Sequence, residues 1–152
     1  MSKICYMVVP KKRNDSFAKE EIKKTFLSAG LGVTFDIDYF EPALKNVSGN
    51  FLICSITDDP NCDNCELFLL ADNCYYSGKK NSLPFFDRME MLAQLISKLQ
   101  DSPADMELFL GDSGTEYDDF TEILITTAEF PFVANQLFNN CGFPQLHFLF
   151  SR

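Results

Sequence analysis

Between residues 99 and 151 the chain has no lysine and no arginine, yet nine aspartates and glutamates fall there. The preceding 98 residues are nearly balanced, with 12 basic against 13 acidic side chains, so the formal net charge of −9 is concentrated in the last third. A one-sign acidic surface repels nucleic acid and anionic membrane and draws cationic partners toward it. Long apolar runs are also missing. None approaches the roughly 20 residues needed to span a bilayer, and the opening MSKICYMVVP is too short in its apolar part to act as an export signal. The basic Lys11-Lys12-Arg13 follows that run instead of preceding it, has no aromatic interleaving and reads as a solvated loop. The expected compartment is the cytoplasm, where the six cysteines would remain free thiols. The sequence contains no G-x-G-x-x-G, no Walker loop, no H-E-x-x-H and no G-x-S-x-G. No cofactor and no resident metal are expected, and the chain reads as a binding protein instead of an enzyme.

What is present is the raw material of a core. Of 152 residues, 46% are hydrophobic and sixteen are Phe, enough for a single domain spanning 1–152. Lys3–Val9 predicts a first strand. Ala18, Ile22, Phe26 and Ala29 recur at helical spacing and predict a helix over 16–29 that Gly30 stops. Gly32–Phe40 alternates as a half-buried strand, and Phe51–Thr57 reads as a central one. Residues 58–64 and 73–82 read as loops, and 66–71 is ambiguous between strand and helix. Ser82 and Pro84 open a helix over 83–100 with the stripe Phe85, Met89, Leu92, Ile96 and Leu99. Strands at 105–110 and 120–127 flank a Gly111–Gly114 turn and suggest a hairpin. Pro131 opens a short helix ending near Asn140, and 145–150 is a last strand. The order β-α-β-β-x-α-β-β-α-β predicts an α+β fold: one central, mixed sheet with about three helices packed on it.

Three constellations compete for chemistry. Cys62-x-x-Cys65 with Cys54 and Cys74 has sulfur enough for a zinc staple, although Asp63 and Glu66 disfavour thiolates beside it. Asp36-x-Asp38 projects two carboxylates from one strand face, and with Asp58 or Asp59 it has the donors of a metal-dependent hydrolase. His147, the only histidine, alternates with Leu146 and Phe148 in an apolar strand, which predicts a half-buried structural role. Residues 112–122 (DSGTEYDDFTE) are the strongest candidate site. Asp112, Glu116, Asp118, Asp119 and Glu122 surround Tyr117 and Phe120, so aromatics would supply contact area while carboxylates supply steering and Arg pairing. The alternatives stay open: a metal-dependent hydrolase using Asp36 and Asp38, or a zinc-stapled interaction module using Cys54, Cys62, Cys65 and Cys74.

In its size, its lone α/β domain, its lack of catalytic motifs and its acidic stretch from Asp101 to Glu129, the chain resembles the bacterial immunity proteins paired with contact-dependent growth-inhibition toxins. The resemblance implies a cytoplasmic, non-catalytic inhibitor of a cognate toxin C-terminal domain. That partner would be a basic protein, commonly a nuclease, whose phosphate-receiving site the acidic face would cover. It implies no nucleic-acid or membrane partner.

Overall fold

The computed structural model describes residues 3–10, 15–35, 51–57, 69–72, 80–99, 106–112, 114–142 and 144–151. Among the described residues the strands are β1 (Lys3–Pro10), β2 (Gly32–Thr34), β3 (Phe51–Thr57), β4 (Glu107–Asp112), β5 (Thr121–Ile125) and β6 (Leu146–Phe150). The α-helices among them are α1 (Asp15–Leu27), α2 (Phe85–Leu99) and α3 (Phe130–Cys141). The strands form one sheet in the order β2-β3-β1-β4-β6-β5. Every neighbouring pair is antiparallel except β5 with β6, which is parallel. This is the mixed-sheet α+β architecture that the order of elements predicts.

Alternation along the strands divides the sheet into two faces. Cys5, Met7 and Val9 of β1 share one face with Leu108 and Leu110 of β4 and with Leu146, Phe148 and Phe150 of β6. Ile22 and Phe26 of α1, Met89, Leu92 and Ile96 of α2, and Phe130 and Ala134 of α3 belong to that same cluster, so all three helices cover this face. Helix α2 lies between the other two. Its stripe reads as predicted because each of Met89, Leu92 and Ile96 comes round to the sheet once per turn. Tyr6 and Val8 are buried on the opposite face, so β1 is covered on both sides and is almost continuously apolar.

The helix ends follow local chemistry. Gly30 sits at φ +77°, the Leu31 amide donates to the Phe26 carbonyl and the Gly30 amide to the Leu27 carbonyl, which is the Schellman stop. In the turn that leads into α3, Thr126 and the helix's N-cap Glu129 bond each other in the manner of a capping box. The Thr126 hydroxyl lies 2.7 Å from Glu129 Oε1, and the Glu129 amide donates back to Thr126 Oγ1 at 3.3 Å. In the first turn of α2, buried Arg88 donates to the carbonyls of Leu69, Ala71 and Leu83 and reaches Asp72 Oδ1 at 2.6 Å. That satisfied guanidinium pins the turn at Leu69-Leu70, the segment left ambiguous by sequence.

The hairpin expected from residues 105–127 is not formed. Strand β6 lies between β4 and β5, so the Gly111–Gly114 region does not turn one strand back onto the next. A hairpin would pair β5 directly with β4. Instead β5 runs parallel to β6 through the crossover helix α3, which a parallel pair requires. The predicted strand 32–40 is described over Gly32–Thr34, and 36–40 lies outside the described residues.

Phe148 is fully buried and meets Phe130 edge-on at a ring separation of 4.9 Å. Phe148→Ala should therefore cost about 3–5 kcal/mol in urea unfolding. Leu27, 57% exposed at the end of α1, should tolerate Ala with a loss within about 0.5 kcal/mol.

Candidate functional site

The acidic segment crosses one end of the sheet. Strand β4 ends at Asp112, strand β6 begins at Leu146, and Thr121 at the start of β5 stands level with Leu146. Residues 114–120 therefore pass across the entry to β6, and Gln145 braces them there. Gln145 Oε1 accepts from the Asp112 amide at 2.6 Å and lies 2.8 Å from the Thr115 hydroxyl. Its Nε2 donates to Asp112 Oδ2 at 3.1 Å, and its carbonyl accepts from the Thr121 amide at 2.8 Å. One side chain and its own carbonyl thus hold both ends of the crossing.

Gly111 makes this possible. A Cβ there would collide with Gln145 Oε1 and press on the Phe120 ring. The glycine read from sequence as a turn residue is a strand residue kept small for close approach.

The seven residues expected to meet a partner divide sharply. Asp112 pairs with Lys3 Nζ at 2.7 Å, directly across the β1–β4 ladder, and is part-buried, so it fixes the strand end and does not present a free charge. Phe120 is 8% exposed and packs edge-on against Phe109 at 5.4 Å, so it belongs to the sheet instead of to a contact patch. Glu116, Asp118, Asp119 and Glu122 are exposed. Among the described residues none of these four pairs with a cation, and no amide or ammonium compensates them as Lys3 does Asp112. A short 3-10 turn, Tyr117–Asp119, sets Asp118 and Asp119 outward, and the Asp119 amide closes it on the Glu116 carbonyl at 3.0 Å. The backbone of Tyr117 belongs to this turn.

Beneath the segment, the face away from the helices carries a compact aromatic row. Tyr6, Phe109, His147 and Glu122 stand in line across β1, β4, β6 and β5. His147 is 3% exposed, more deeply buried than alternation alone suggests. Its ring stacks on Phe109 at 3.9 Å, and its Nε2 meets Glu107 Oε1 at 2.7 Å, so the carboxylate fixes the tautomer with the proton on Nε2. Glu107, another acid of the last third, is thereby used internally.

The competing metal constellations fare differently. Cys54 is fully buried on the helix-covered face, with its Sγ 3.6 Å from the Met7 carbonyl, so the four-sulfur staple loses this member to the core. Burial pushes its thiol up to about 12, and burial together with the neighbouring Cys54 pushes Cys5 higher still. A metal ligand or nucleophile must be a thiolate, and neither will ionise at neutral pH. Cys62, Cys65, Cys74, Asp36, Asp38, Asp58 and Asp59 lie outside the described residues. Among the described residues no three metal-ligating side chains come together, and no helix is long and apolar enough to cross a membrane.

Sequence reasoning passed over Gln145 and Leu124. The first has no local signature, because its work is done by contacts with Asp112, Thr115 and Thr121, all distant in the chain. The second was visible in principle: in Thr121–Ile125, Ile123 and Ile125 share the core phase, which leaves Leu124 on the other face, where it is 73% exposed. No family model, no curated protein and no solved structure matches the chain.

Gln145→Leu keeps the volume but strands the Asp112 amide, while the Thr115 hydroxyl retains the Asp112 carbonyl at 2.8 Å. It should cost about 1–3 kcal/mol and speed hydrogen exchange at Asp112, while Thr121, bonded to a main-chain carbonyl, changes less. Cys5 and Cys54 should resist a thiol reagent in the native state and react on unfolding. Their raised folded values stabilise the fold below the ordinary thiol value of 9.0. Stability should therefore fall as pH rises above 9 toward 12, which thermal melts across that range will read.

Proposed function

We propose that the chain is a non-catalytic inhibitor that binds a basic protein domain through Glu116, Asp118, Asp119 and Glu122. The observation carrying this reading is the difference in treatment of the acids. Asp112 and Glu107 are matched to Lys3 and His147, whereas Glu116, Asp118 and Asp119 on the braced crossing and Glu122 on β5 are exposed, and among the described residues no cation stands beside them. Grouped like charges destabilise a fold by mutual repulsion. A cationic partner relieves that repulsion on binding and is steered to the site from a distance.

The partner class that fits is a toxin domain with a basic, phosphate-receiving active site, a nuclease above all. The inhibitor would meet it in the cytoplasm of the cell that makes it. The four carboxylates would occupy the place of substrate phosphates and accept Arg and Lys donors as phosphates do. Inhibition would then be steric and electrostatic, with no reaction performed by this chain. This reading matches the expectation from resemblance to growth-inhibition immunity proteins, with Asp112 and Phe120 moved from contact residues to supporting ones.

The test pairs the purified chain with candidate basic nuclease toxin domains. The association rate should fall about tenfold or more as salt rises from near 50 mM to near 500 mM. Asp118→Lys with Asp119→Lys should slow association and weaken inhibition while leaving the thermal midpoint unchanged or slightly raised. An association rate indifferent to salt, or full inhibition by the charge-reversed protein, overturns the proposal.

A further inference from the structure

The geometry points to the outer edge of β5 as a docking strand, which receives an extended, lysine- or arginine-bearing segment of the partner as a seventh strand of the sheet. This inference rests on the acidic-site reading above and adds to it the mode of contact.

Strand β5 is the last in the sheet. The Thr121 amide donates to the Gln145 carbonyl, and the Ile125 carbonyl accepts from the Ser151 amide, so both residues turn their main-chain groups toward β6. Main-chain groups alternate sides along a strand. Glu122 and Leu124 therefore turn their N–H and C=O outward, away from β6. After them the edge is closed: Thr126 uses its amide on Glu129 Oε1 and its carbonyl on the Phe130 amide as α3 begins. The open stretch is short and bounded, and it presents donors and acceptors at two adjacent repeat positions.

Natural edge strands are commonly blunted by Lys, Pro or a bulge. Strand β5 has neither Lys nor Pro, its one charge is the acidic Glu122, and it carries Leu124 at 73% exposure, the most exposed large apolar side chain among the described residues. Leu124 stands beside the half-buried Leu149 of β6 on the same face. An added strand would cover Leu124 and complete the four outward hydrogen-bonding groups.

Charge selects the occupant. Pairing β5 with β5 of a second copy would bring two sets of Glu116, Asp118, Asp119 and Glu122 to one edge, and like charges across a ladder are destabilising. A strand with cations beside its apolar positions meets those same carboxylates favourably. The edge is thus guarded against self-association and open to a basic extended segment, the strand-addition mode of recognition.

The experiment uses the full chain, isotopically labelled, and two synthetic probe peptides, Lys-Val-Lys-Val-Lys and Glu-Val-Glu-Val-Glu, at millimolar concentration. With the cationic peptide, the Glu122 and Leu124 amides should exchange at least about threefold more slowly and shift in resonance, and the acidic peptide should leave them unchanged. Leu124→Pro should remove this protection and weaken inhibition of the toxin domain about tenfold. Its N–H is not used toward β6, so the fold should persist, which the thermal midpoint checks. Leu124→Ala provides a second variant that leaves the backbone intact, and it should lose part of the effect.

Slowed exchange only in 116–119, or in neither place, overturns the edge proposal, as does dimerisation through β5. If Asp118→Lys with Asp119→Lys abolishes inhibition while Leu124→Pro and Leu124→Ala retain it, strand addition fails and the acidic site stands. If no variant matters, both fail.

Discussion

Strand β6 has to satisfy two neighbours that run in opposite directions, β4 antiparallel and β5 parallel. With both edges engaged, it cannot slip by one residue without driving Phe148 out of the core and His147 into it. Its position also dictates what surrounds it. The chain leaving β4 must pass the entry to β6 before it can begin β5, and the crossing helix α3 must return it. The acidic segment is where it is because β6 occupies the place a hairpin partner would have taken.

The same strand supplies the means of holding that segment. Gln145, one residue before β6, bonds to Asp112 and Thr115 through its side chain and to Thr121 through its carbonyl. Gly111 yields the space and Phe120 closes over it, resting on Phe109. The acid inside this construction, Asp112, is paired with Lys3, and Glu107 at the other end of β4 is hydrogen-bonded to His147. Those that fall outside remain charged and grouped. The asymmetry of charge along the chain thus becomes an asymmetry in space, built on a brace that has no charge of its own.

Features that depend on nearby residues were legible. Met89, Leu92 and Ile96 announced α2 through spacing alone, Gly30 announced the end of α1, and Phe51–Thr57 announced a strand with the right limits. The Thr126-x-x-Glu129 box was equally local and was overlooked in favour of Pro131. Pairing was not legible. Gly111 looked like a turn because glycine near Asp and Ser commonly is one, and only the distant Gln145 explains it. Asp112 read as a partner-contact carboxylate, and only Lys3, at the far end of the chain, shows that it is paired internally. Phe120 looked like a contact aromatic because acids flank it, yet burial against Phe109 outweighs its sequence neighbours. Within the candidate site, then, composition located the segment, and the long-range contacts decided which of its members face outward.

The interleaving of β4, β6 and β5 has a cost during synthesis. Thr121–Ile125 emerges from the ribosome before α3 and β6 have been made, and until then Ile123, Leu124 and Ile125 have no ladder to join. Translation at roughly 5–20 residues per second leaves that apolar strand bare for seconds. Strand β1, too, waits for partners drawn from β3 and β4, far along the chain. Such non-local pairing places folding among the slower millisecond-to-second topologies. The acidic residues beside and within β5 would act as gatekeepers against premature sticking while that strand is bare.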